Sequence, residues 1–128
     1  MVIDTSAIVA IALDEPEAAG FEQRIADDPV RLISAATMLE AAMVLETRLG
    51  DSGGSDLDLW LHKAGFEVVA VDAEQADRAR RAWRRFGKGR HAAGLNFGDC
   101  FSYALATLTG EPLLFKGNDF AQTDIPAA

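Results

Sequence analysis

Apolar residues recur along this chain with two alternating spacings. Val2-Ile3, Val30 to Ile33, Phe66 to Val71 and Leu113 to Phe115 are short runs bounded by turn-forming or capping residues, which predicts strands. Between them the spacing turns helical. It predicts helices from Thr5 to about Leu13, from Glu15 to about Ala26, from a Ser34 cap to Gly50, from Leu57 to about Ala64, and from Ala73 to Phe86. A further helix opens at Asp99, runs to about Thr109 and is closed by Gly110. The segments Asp51-Ser52-Gly53-Gly54, 88–97 and Gly117-Asn118-Asp119-Phe120 read as loops and turns. Strands alternating with helices predict an α/β domain, its sheet mainly parallel and covered by helices. The 128 residues suit one domain, 1–128, and contain no internal repeat.

Composition narrows this picture. The apolar fraction of 49% fits a folded globular chain. No apolar run approaches the ~18 residues a membrane span needs. The opening residues lack a basic-then-apolar leader pattern, and Cys100 is the only cysteine, so a reducing cytoplasm is the expected location. The net charge of −8 argues at first against a nucleic-acid partner. Residues 78–90, RARRAWRRFGKGR, nonetheless hold 7 of the 12 basic residues and no acid, leaving 5 − 20 = −15 for the remainder. Such a stretch either follows phosphates or is a solvated helix face with acidic partners.

Four acids stand out by position. Asp4 directly follows the first strand, at the strand end where open parallel sheets bind ligands. Glu40 has Ala36, Met43 and Val44 as its helical neighbours, so it interrupts an apolar stripe; otherwise only its stem packs there. Asp99 is a good helix cap or a group projecting into a cleft, and Asp119 lies in a turn where aspartate is common. Gathered together, these carboxylates would repel and hold protons unless a cation joined them. Oxygen ligands suit Mg²⁺, and the matching chemistry is metal-assisted phosphodiester hydrolysis. Zinc lacks its ligands, since Cys100, His62 and His91 form no ligand spacing. A Cys100–His91 nucleophile pair, a P-loop and a phosphatase with a second aspartate two positions after Asp4 all fit poorly; that last position is Ser6.

The pieces VIDTSAIVAI at 2–11, SAATMLEAAMVL at 34–45, GKGRHAAGLNFGDCFSYALA at 87–106 and LLFKGNDF at 113–120 resemble PIN-domain ribonucleases, specifically the VapC-type toxins of bacterial toxin–antitoxin pairs. The resemblance covers the whole chain. It implies a three-layer α/β/α domain that cuts RNA (tRNA or rRNA) with Mg²⁺ or Mn²⁺. It carries Asp4 and Asp99 over as metal ligands, Glu40 as the third acid, and Asp119 as the fourth member of the catalytic set. Thr5 or Ser6 orients Asp4. Many such proteins place an aspartate where this chain has Gly117, so Asp119 either replaces that ligand or only structures the turn. The resemblance further implies a homodimer, an RNA-facing role for the basic stretch, and a VapB-type antitoxin touching residues such as Trp60 or Phe21. The competing expectation is a non-catalytic RNA- or protein-binding module on the same fold.

Overall fold

The computed structural model describes residues 1–128. Four strands, β1 (Val2–Ile3), β2 (Leu32–Ser34), β3 (Glu67–Val69) and β4 (Leu113–Leu114), form one sheet in the order β3-β2-β1-β4. Every pairing is parallel, with Val2 opposite both Leu32 and Leu113. Side chains alternate across so short a sheet. Ile3, Ile33 and Leu114 point to one face, where they meet α1 (Thr5–Ala12), α2 (Ala18–Asp27), α3 (Ala35–Leu49) and α4 (Ser52–Lys63). Val2 and Leu113 point to the other, against α5 (Ala73–Phe86) and α6 (Phe97–Thr109). The result is the expected three-layer α/β/α domain. No helix is long and apolar enough to cross a membrane.

The chain leaves β1 toward β2 on one side and returns through β4 on the other. The switch point therefore lies between β1 and β4, and a crevice opens beyond their carboxyl ends. Asp4 follows β1 there, and the Gly117–Asp119 turn follows β4.

Strand β2 is shifted from Val30–Ile33 to Leu32–Ser34, β3 is shortened from Phe66–Val71 to Glu67–Val69 and β4 stops at Leu114, and three helix starts also differ from the expectation. Ser52, Gly53 and Gly54 belong to α4, which begins five residues before Leu57. The two glycines serve close packing: a Cβ on Gly53 would sit 2.7 Å from the Leu45 carbonyl oxygen of α3, and one on Gly54 would meet the Glu46 carboxylate. Helix α6 begins at Phe97, capped by Asn96, so Asp99 is the third residue of the helix rather than its start. Helix α2 begins at Ala18, with Pro16 in the preceding turn.

Candidate active site

Asp4 is 2% exposed and caps α1. Its Oδ2 accepts hydrogen bonds from the Ser6 backbone N–H (2.9 Å) and the Ser6 hydroxyl (2.7 Å). Ser6 Oγ in turn accepts from the Lys116 N–H at 3.0 Å, tying α1 to the segment after β4. Of the two hydroxyl residues expected to orient Asp4, Ser6 is the one in contact. The other oxygen, Oδ1, accepts from the buried Ser102 hydroxyl at 2.7 Å. Ser102 has spent its only proton on Asp4, so the Thr37 hydroxyl, 3.1 Å away, is the donor in the next link. Thr37 lies one turn before Glu40 on α3, and Ser102 one turn after Asp99 on α6. One buried hydroxyl chain thus joins the three elements that carry these acids.

Glu40 is half-buried and accepts a hydrogen bond from Thr5 Oγ1 at 2.5 Å. The stripe it interrupts faces a groove, because the core-facing residues of α3 are Thr37, Ala41 and Leu45, one position further round. Its carboxylate packs over Gly98, where any Cβ would overlap it. Asp99 forms a capping box: its Oδ2 accepts from the Asn96 N–H at 2.9 Å, and its own N–H donates to Asn96 Oδ1 at 2.8 Å. Burial pushes the Asp99 carboxyl up to about 7 against that hydrogen bond, with the charges of Asp4, Glu40 and Asp119 adding to the rise. Asp99 therefore feels the charges of all three other acids. Asp119 is exposed and its side chain caps nothing. Gly117 sits at φ +98°, a backbone conformation that disfavours an aspartate at this position.

No three His, Cys, Asp or Glu side chains stand close enough to share a metal ion. Asp4, Glu40 and Asp99 are each turned to a local donor instead. The donor set is nonetheless all oxygen, and at Asp99 the charges of the other acids add to the effect of burial. A hard divalent cation suits such a site, because one or two carboxylates plus a substrate phosphate suffice to hold it. Cys100 is no competitor as a nucleophile: burial and then the Asp99 charge push its thiol up to about 11. His91 accepts the Ala93 N–H at its Nδ1 and makes no bond to Cys100.

The basic stretch divides. Arg80 and Arg81 pair with Asp77, and Arg85 pairs with Asp124. Arg78, Arg84, Lys88 and Arg90 form no ion pair within the chain. Phe21 is core and Trp60 half-buried, so only Trp60 retains surface for a partner. Sequence reasoning missed Thr37, Ser102 and Gly98. Hydroxyls one turn from each candidate acid, within largely apolar helices, were the signal available.

The PIN domain family model matches residues 1–126. The chain belongs to the PIN-domain family. Within it the chain is of VapC type: it is 64% identical to a Mycolicibacterium smegmatis protein named Ribonuclease VapC, over 99% of this chain and 98% of that one. It is 61% identical to Ribonuclease VapC30 of Mycobacterium tuberculosis, over 98% and 95% of the two chains. Among solved structures it resembles M. tuberculosis VapC20, described as a Sarcin-Ricin loop cleaving toxin, at a TM-score of 0.81, 19% identity and 99% and 97% coverage. A toxin-antitoxin complex from Klebsiella pneumoniae matches at a TM-score of 0.69, 18% identity and 96% and 92% coverage. At such identities the two structures speak for the PIN fold alone.

Proposed function

We propose that this PIN domain is a VapC-type toxin that hydrolyses RNA phosphodiester bonds with Mg²⁺ or Mn²⁺ and is restrained by a VapB-type antitoxin. The observation that carries the reading is the buried Asp4 carboxylate, held by Ser6 and Ser102 at a strand end near Asp99, whose carboxyl burial pushes up and the charges of Asp4, Glu40 and Asp119 push further. Asp4 and Asp99 would hold the ion, with Glu40 as the third acid. A divalent cation held there would supply activation of a water and charge stabilisation at the scissile phosphate.

The protein's own part is positioning and proton handling. Ser6 fills both lone pairs of Asp4 Oδ2 and Ser102 one of those on Oδ1, so the remaining lone pair of Oδ1 is the one left for a cation. Thr5 holds Glu40 by Oε1, so Oε2 is free to take the proton of the attacking water. Asp119 stands at the rim, where it meets substrate rather than completing the inner set. A tRNA or rRNA loop is the substrate class, and a bacterial cytoplasm the setting. The exposed side chains of Leu39 and Met43 on α3 support homodimer formation. Trp60 and its groove with Ile8, Ile11 and Leu49 support an apolar antitoxin segment.

The test is cleavage of bacterial RNA by the purified chain. Activity that needs Mg²⁺ or Mn²⁺, stops in EDTA and is lost in Asp4→Ala and Asp99→Ala supports the reading. Full activity of both variants in EDTA contradicts it.

A further inference from the structure

A groove of about 550 Å³ runs between α5 and α6, beside the acids but separate from them. Its aromatic walls are Trp83, Phe97 and Phe101, and its polar rim is Arg80, Lys88 and Asn96. No acid lines it. Phe97 is 82% exposed and Trp83 42%, and Phe97 and Phe101 also border the neighbouring groove of Leu39 and Met43 on α3.

The Trp83 ring is held in place. Arg90 lies over it, 4.0 Å from its centroid, and its edge packs where a Cβ on Gly87 would come within 2.5 Å. Phe97 meets Phe101 edge to face at 5.0 Å. The groove adjoins the acids through Asn96, whose N–H donates to Asp99 Oδ2 while its side-chain NH₂ has no partner in the protein. Lys88 on the rim and Arg90 over Trp83 form no ion pair, on a chain that is otherwise strongly acidic.

We propose that this groove binds an unpaired nucleobase of the RNA, next to the phosphate presented to Asp4 and Asp99. The inference rests on the ribonuclease reading and adds a substrate subsite to it. Rigid aromatic faces with nearby cations are how proteins hold single-stranded nucleic acid, the cations meeting phosphates and the rings stacking on bases. The unpaired Asn96 NH₂ adds a donor for a base edge. A second copy of this chain is the competing occupant. A two-fold pairing sets each residue against a different residue of the other copy, so the oligomeric state is read alongside binding.

The experiment measures binding in EDTA, where RNA is not consumed. The probes are a fluorescent oligouridylate of about ten nucleotides and an abasic strand of equal length and phosphate count. The wild type is expected to bind the intact strand about 5- to 100-fold more tightly than the abasic one. Trp83→Ala and Phe97→Ala are expected to lose that preference, and Trp83→Phe to keep it. The salt dependence, set by phosphate contacts, should be unchanged in all three. Both side chains are exposed, and circular dichroism checks that the variants fold.

Equal wild-type affinity for intact and abasic strands overturns the proposal. So does loss of preference that tracks dissociation of a dimer in sedimentation, which assigns the groove to a second copy. Cleavage with Mn²⁺ separates the two levels. Wild-type cleavage alongside no base preference overturns only the subsite, whereas neither cleavage nor binding overturns the ribonuclease reading beneath it.

Discussion

Asp4 gains its geometry from hydroxyls rather than from other charges, and those hydroxyls are where single substitutions should be informative. Ser102→Ala removes the donor to Asp4 Oδ1 and strands Thr37. Losses of this outer kind cost metal sites about 10- to 100-fold in affinity. A drop of that size in Mn²⁺ affinity, read by calorimetry, is the expected outcome, and Ser102→Thr should recover part of it. Thr5→Val frees the Glu40 carboxylate and should lower kcat with little change in KM, while Thr5→Ser keeps the bond. Asp99 adds a pH signature. Its folded pKa is about 7, above the ordinary carboxylate value of about 4. Between those values the metal-free folded state binds more protons than the unfolded one, so its stability falls as pH rises through that window. Because metal binding requires the deprotonated form, Mn²⁺ should raise Tm more at about pH 8 than at about pH 5.5. A larger rise at the lower pH would contradict this assignment.

At the scale of elements, the α3–α4 contact offers a graded test of what the glycines do. Gly53→Ala meets the Leu45 backbone, which has little room to move, and should cost about 1–3 kcal/mol in urea unfolding. Gly54→Ala meets the end of the Glu46 side chain, which can swing away, and should cost less. These glycines also show where the sequence misleads. Paired glycines after Gly50 signal a turn, yet the partner helix that requires them is seen only in three dimensions. The strands were legible because short apolar runs have little alternative, and the α/β alternation followed. Asp4 was legible because a carboxylate directly after an apolar strand needs a reason. The Ser102–Asp4 bond was not, since it joins positions 98 apart. Asp99 was legible as an acid at a helix start, but its capping partner Asn96 was not, since aspartate and asparagine compete for the same cap.

Over the whole molecule, charge and apolar surface are arranged in sectors. Acids gather at the carboxyl edge of the sheet, cations lie along α5, and Leu39 and Met43 stand exposed on α3. Replacing both Leu39 and Met43 by lysine should shift a dimer toward monomer in sedimentation without unfolding the chain, since neither contributes to the core. The central claim concerns the acids, and metal-dependent RNA cleavage tests it most directly. Purified chain given bacterial RNA and Mn²⁺ should produce defined cleavage ends. Activity should fall ~100-fold or more in Asp4→Asn and Asp99→Asn, beyond the usual loss from outer-shell changes. Wild-type rates from either variant, with Mn²⁺ or in EDTA, would contradict the account.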